Sequence, residues 1–451
     1  MNNLPTTFDL MLLGAHVLTA DPSRPVVRDA ALGIAGGRIA WLAHSPPEHW
    51  RADRVLRLDD HFVTPGFVNP HAHSILCMVR GVASDSGFAP SYTPGIPKGT
   101  QVTADQARAL ARLGALEALL FGSTLLGDNF VHADVTTEAM AELGMRLAPS
   151  WRVHDVDFAR VAHGQWHHDP DIGARTLDQA MTLHETWKHH PRVYVNLAAH
   201  AVDTCSEAFL HEIAQLSARH GLVVSTHLGQ STVEVERVRE RTGRTSTEVL
   251  DECGLLNERL LGGHCIYLSD ADIARMARAG AHAIHIPKAN ATSGRLAPTP
   301  KLKAAGVNIA LATDTQHADM VELMRWALVT ARVQEGRVAD EWQPHHVFRM
   351  ATIGGARALG LDSEIGSVEP GKRADLVVFD ARRPHLRPHV DPLGCLVHCG
   401  HGRDVTMVLV DGEVLVEDGR PTRVDMDAVC REAEVAARAL WGDVGRRYWM
   451  A

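Results

Sequence analysis

His71 and His73 are separated by a single residue. In a β-strand, residues i and i+2 face the same side, so both imidazoles can reach one ion. Zinc accepts imidazole nitrogen at about 2.0 to 2.1 Å, so such a pair begins a metal site. The chain holds 28 histidines, and a neighbouring pair could arise by chance. What gives this pair weight is its company. His200, His227, His264 and His285 each lie in or end a later apolar run, and Asp314 ends the last of them. A ring of histidines facing one axis would repel or stay unpaired unless a cation organised it.

The elements that must hold these residues are legible from residue 62 onward. Apolar runs of strand length alternate there with amphipathic stretches of helix length, the pattern of repeated βα units. Eight runs can be counted: FVTPGFVNPHAH, GSTLLGDN, RLAPSWRVH, VYVNLAAHA, LVVSTHLG, LLGGHCIYL, AHAIHIP and VNIALATD. Eight strands close a (β/α)8 barrel, which keeps its chemistry at the C-terminal strand ends. Between the runs, Ser206 and Gly221 bound one helix, and Asp270 is placed to cap another. Before residue 62 and after about residue 364 the text reads as short strands and tight turns, with Asp411-Gly412 as a hairpin turn and an amphipathic helix at the end. Residues 1–61 and 365–451 are therefore expected to combine into one small β-sandwich domain beside a barrel of residues 62–364, an α/β architecture.

Composition is that of an ordinary globular chain: 45% hydrophobic, 22% charged, 37 glycines and 22 prolines in 451 residues. A formal net charge of -9 repels a nucleic-acid backbone and leaves a small molecule as the expected partner. Seven scattered cysteines fit reduced thiols rather than a disulfide framework. The opening stretch lacks the pattern of a secretion signal, and nothing approaches the roughly 20 apolar residues of a membrane span. A cytoplasmic, membrane-free protein, assembled as a homodimer or higher homo-oligomer, is the expectation.

At this point the residues resemble a known family. TPGFVNPHAH, VVSTHLGQS, IPKANATSGRLAPTPKLKAAGVNIALATDT and ATIGGARALGLDSEIGSVEPGKRADLVVFD are similar to the amidohydrolase superfamily, in the branch of the triazine hydrolases and the cytosine, guanine and adenosine-type deaminases. The resemblance spans nearly the whole chain. It implies His71, His73, His227 and Asp314 as ligands of one divalent ion, zinc first, with iron or manganese as alternatives. It also implies Asp314 and His264 as catalytic groups, His264 bonding the attacking water or the substrate. Relatives with two metals bridge them by a lysine on the fourth strand. Here that strand reads RVYVNLAAHAVDTCS and has none. Such an ion would lower the pKa of water towards about 7, and Asp314 could take and return the proton.

One residue departs from the pattern. Deaminases of this branch carry Glu three residues after the fifth-strand histidine, where this chain has Gln230. A carboxamide hydrogen-bonds but does not shuttle protons. Glu234, one helical turn on, could replace it, although a solvated helix face is its expected place. Removal of a thiol, a halide or a cyclic amide therefore competes with attack on a C–N bond of a small nitrogen heterocycle. A non-catalytic scaffold on the same fold is a third reading, opposed by the intact ligand set.

Weaker signals complete the candidate site. His200, His285 and Asn290 match substrate-contacting positions of relatives. Tyr92 and Lys98 fall in a long Gly/Pro-rich segment that could cover the barrel mouth. Trp151, with Arg152 and His154, could offer a stacking face and a positive anchor, or be ordinary rim packing. Cys395, His398, Cys399 and His401 have the residue types of a second metal site but not its usual spacing.

Overall fold

The computed structural model describes residues 6–82, 97, 101–161, 163–315 and 317–442. Eight parallel strands form the barrel: β1 (Phe67–Ala72), β2 (Ser123–Phe130), β3 (Ser150–Val153), β4 (Leu197–Ala201), β5 (Val224–Leu228), β6 (Leu260–His264), β7 (His282–His285) and β8 (Asn308–Leu311). Each pairs with its neighbour in chain order. Seven of the eight lie within the apolar runs read from the sequence and β2 passes the end of its run by one residue, Phe130, because strands covered on both faces need near-continuous apolar residues. Inside the barrel, Val68, Leu125, Ala148, Leu261, Ile284 and Ala310 pack as one cluster.

The seam between β1 and β8 is closed at the end that carries the histidines. Ala72 bridges Asp314, the His73 N–H donates to the Asp314 carbonyl at 2.8 Å, and the Asp314 N–H donates to the His71 carbonyl at 3.1 Å. The Asn69 carboxamide donates to Thr313 Oγ1 at 2.7 Å and accepts the Thr313 N–H at 3.2 Å. Backbone closure thus fixes Asp314 beside the two first-strand histidines.

Helix ends follow local chemistry. Ser206 accepts the Phe209 N–H to cap Glu207–His220, and Gly221 ends that helix at φ 68°. The helix Asp270–Ala279 is capped by Ser269 rather than by Asp270. Ser269 Oγ accepts the Asp272 N–H while Asp272 accepts the Ser269 N–H, a reciprocal pair that leaves Asp270 as the first helical residue.

The two flanking segments form a single connected nine-stranded sheet. His61–Pro65, which starts on the last residue of the first segment and runs into the stretch expected to open the barrel, pairs antiparallel with Leu376–Asp380 from the second. Leu10, Val17, Val63, Val378 and Leu409 share its core. Between the strands Val405–Val410 and Glu413–Glu417, Asp411 and Gly412 have φ 50° and 74°, the left-handed pair a two-residue hairpin requires. Fully buried Arg146 ties this sheet to the barrel. Its Nε donates to Asp375 Oδ2 at 2.7 Å and its Nη2 to Asp375 Oδ1 at 3.1 Å, with Asp411 as a further partner.

Candidate metal and reaction site

At the C-terminal end of the barrel, His71, His227, His264 and Asp314 offer ligand atoms that all lie within 4.8 Å of one another. His73 joins them, its Nε2 3.4 Å from Asp314 Oδ1; the corresponding distance from His71 is 3.6 Å. The residues expected to hold an ion therefore converge, and His264 stands in the same cluster. His264 and Asp314 both have left-handed backbones, φ 67° and 63°. That conformation is uncommon outside glycine and aims both side chains at strand ends, a kind of strain that collects at functional sites.

Each histidine is oriented by a partner on its other nitrogen. The Nδ1 of His73 lies 2.6 Å from the Asn129 carbonyl, and that of His227 lies 2.6 Å from the His200 carbonyl. Carbonyls only accept, so both Nδ1 atoms carry protons and both Nε2 atoms keep lone pairs. His71 Nδ1 faces the Asn129 carboxamide at 3.3 Å. His264 Nδ1 lies 2.9 Å from Asn290 Oδ1.

Burial acts on these groups with one sign. It lowers His73 to about 3, with the charge of His71 adding to the effect, and it lowers His227 and His264 as well. Burial pushes Asp314 the other way, but its contact with His71 at 3.6 Å and the fields of His264 and His73 hold it ionised, below the ordinary carboxylate range. Neutral imidazoles around a carboxylate are the donor set a divalent cation takes. His71 Nε2 is buried and has no hydrogen-bond partner among the described residues, as fits an atom reserved for an ion.

The other expected residues fall at graded distances. His200 is buried with its ring 5.1 Å from His227 and its Nδ1 2.9 Å from Thr204 Oγ1. His285 ends β7 close to His264, with neither ring nitrogen bonded among the described residues. Trp151, Arg152 and His154 line a neighbouring cavity of about 660 Å³ together with Phe158, whose ring is 5.0 Å from His200. Tyr92 and Lys98 lie outside the described residues.

One expectation changes. Glu234 is not on a solvated face. It is 3% exposed, and its carboxylate accepts the N–H groups of Gly229 at 2.9 Å and Gln230 at 2.7 Å and the Ser246 hydroxyl at 2.8 Å. It lies outside the metal cluster and pins the turn that carries Gln230. Cys395, His398, Cys399 and His401 do not converge among the described residues. Cys395 bonds to the Leu386 carbonyl, and His401 caps the turn Gly402–Asp404.

Sequence reasoning missed Asn129, which serves both first-strand histidines, and Asp128, whose Oδ1 accepts the Ser74 N–H at 2.6 Å. The signal was available: both occupy the C-terminal end of the second run, where the same strand-end rule applies.

Residues 62–415 match the amidohydrolase family, and the chain belongs to it. It is a metal-dependent hydrolase acting on C–N bonds other than peptide bonds. Among similar proteins, a 5-methylthioadenosine/S-adenosylhomocysteine deaminase of Syntrophobacter fumaroxidans is 31% identical over 442 residues, covering 96% of this chain and 98% of that protein. A 5'-deoxyadenosine deaminase of Methanosarcina acetivorans is 30% identical, with the same coverage. A zinc-bound adenosine deaminase from Xanthomonas campestris superposes with TM-score 0.87 at 25% identity, over 97% of this chain and 99% of that one. The atrazine chlorohydrolase TrzN from Arthrobacter aurescens, complexed with zinc, shares the fold at TM-score 0.86 and 22% identity, over 95% of this chain and all of that one. No helix among the described residues is long and apolar enough to cross a membrane.

Proposed function

We propose that the chain is an aminohydrolase that releases ammonia from an amino-substituted purine of nucleoside type, using one zinc ion held by His71, His73, His227 and Asp314. The observation that carries this reading is the convergence of buried His71, His73 and His227 on Asp314, in a chain about 30% identical over 96% of its length to deaminases of adenosine derivatives.

When bound, the ion supplies a water acidic enough to attack at neutral pH. Asp314 then takes the water proton at its carboxylate and passes it to the departing amine. His264, fixed by Asn290, holds the water or the oxygen on which charge develops. His285 and His200 face the substrate from the ends of β7 and β4, and Gln230 hydrogen-bonds it without moving a proton. Barrel residues 62–364 carry the reaction and the flanking segments brace it.

Gln230 favours a second reading, in which the leaving group is a thiol, a halide or a cyclic amide that departs without a carboxylate relay. Ammonia release across a panel of adenosine derivatives and substituted heterocycles separates the two. Stoichiometric ammonia from an aminopurine nucleoside supports the first, and turnover confined to the other leaving groups rejects it. Metal analysis of His73→Ala tests the site itself, since undiminished metal content contradicts the ligand set.

A further inference from the structure

The opposite end of the barrel holds a second cavity, of about 360 Å³, at the start of β8. Its lining combines Lys303, His346, Arg349 and Arg357 with the apolar side chains of Val307, Ile309, Met350 and Ile353, and among the described residues no carboxylate lines it. The basic groups come from three separate helices, Thr299–Ala304, Pro344–Ala351 and Ile353–Ala358, so the tertiary fold gathers them.

In a chain of net charge -9 carboxylates outnumber basic side chains, 54 to 45, yet here the basic groups are largely uncompensated. Neither Lys303 nor Arg349 makes an ion pair with a described carboxylate. Glu341 acts on Lys303 only at longer range, as Asp21 and Glu369 do on Arg349. Arg349 donates Nη1 to the Ala20 carbonyl at 2.6 Å, and Lys303 Nζ stands 5.6 Å from the Trp342 ring. Arg357 has Asp362 at 3.4 Å. His346 Nδ1 accepts the Gln343 N–H, which leaves the proton on Nε2 as a further donor. Gathering like charges on a half-buried wall costs free energy unless an anion joins them. Burial, Arg357 and the neighbouring cations accordingly lower Arg349 and His346.

We propose that this cavity binds a phosphate group, either the free ion or a phosphomonoester whose carbon skeleton rests on the apolar wall. Guanidinium forks and an ammonium are the groups that recognise phosphate. The site is separate from the reaction centre and does not depend on the activity proposed above.

Calorimetric titration of the metal-loaded full chain with inorganic phosphate, and separately with ribose 5-phosphate, tests it at constant ionic strength. Saturable binding with Kd below about 1 mM is expected for at least one of them, weakened tenfold or more in both Lys303→Ala and Arg357→Ala. Unfolding midpoints of the variants confirm that they are folded, and Arg237→Ala, which removes a surface cation elsewhere, should leave binding unchanged. Tighter binding of ribose 5-phosphate assigns the site to phosphomonoesters, and equal affinity assigns it to the free ion. No saturable binding of either at 10 mM, or binding that both cavity variants leave intact, overturns the proposal.

Discussion

The Glu234 carboxylate accepts the Gln230 N–H at 2.7 Å and so holds the residue that replaces the usual relay carboxylate of related deaminases. Its other bonds run from the Gly229 N–H and the Ser246 hydroxyl, so both oxygens accept hydrogen bonds, and Glu234 lies outside the metal cluster. The nearby acid thus positions a turn, and in the proposed reaction the proton chemistry falls to Asp314.

Burial, followed by the charge of Asp203, pushes Glu234 up to about 7 from an ordinary 4.5. Between those values the folded chain keeps a proton that the unfolded chain has lost, so stability falls as pH rises through the window and levels off above it. At about 1.4 kcal/mol per pKa unit the drop is on the order of 3 kcal/mol. Urea unfolding at pH 5, 6, 7 and 8 should show this fall, flattened in Glu234→Gln though not abolished, because Asp203 is raised as well. Equal slopes for the two proteins would contradict the assignment.

Gln230→Glu restores a carboxylate where an amide now stands. If the missing relay limits deamination, kcat/KM for ammonia release should rise by about 10² or more, the scale of a positioned acid or base. A variant no faster on any amine would count against the relay argument and favour the other leaving groups.

Asn129 presents its carbonyl to His73 and its carboxamide to His71, 2.6 and 3.3 Å away. Asn129→Ala removes the second contact and keeps the first, which is backbone. Zinc affinity, measured by competition with a chromophoric chelator, should weaken by about 10- to 100-fold with the fold intact. Asn129→Asp, offering a carboxylate to His71, should recover most of that loss. Unchanged affinity in Asn129→Ala would show that His71 needs no such orientation.

The barrel was legible because its strands are buried on both faces and read as apolar runs, and His71, His227, His264 and Asp314 were legible because strand ends are where such a barrel does chemistry. Ser269 was missed as a cap because Ser and Asp compete at adjacent positions and only the reciprocal bond with Asp272 decides between them. The burial of Glu234 was not readable, because its helix is strongly polar and the cover comes from distant segments around Asp203 and Ser246. The cavity around Lys303 and Arg357 left no local signal, since three helices contribute to it.

Arg146 gives the sharpest test of how the small sheet is fastened to the barrel. The guanidinium is fully buried, and its principal partner Asp375 is 4% exposed. Arg146→Ala would leave the Asp375 carboxylate in a dry interface with its Asp411 N–H donor, at 2.9 Å, as the main compensation. Removing one partner of a buried ion pair typically costs about 3 to 5 kcal/mol, because the remaining charge loses more than it regains. Asp411 would lose less, since Arg192 at 2.9 Å and Arg373 at 2.8 Å still reach it. The unfolding free energy of Arg146→Ala should therefore fall by that amount, while metal content and turnover per folded molecule stay unchanged, since the pair lies away from the metal cluster. In Arg146→Met with Asp375→Leu the buried charge is gone from both sides, and most of the loss should be recovered. A single variant as stable as the parent would mean that the ion pair fastens nothing, and the sheet would then be held by its apolar contacts alone.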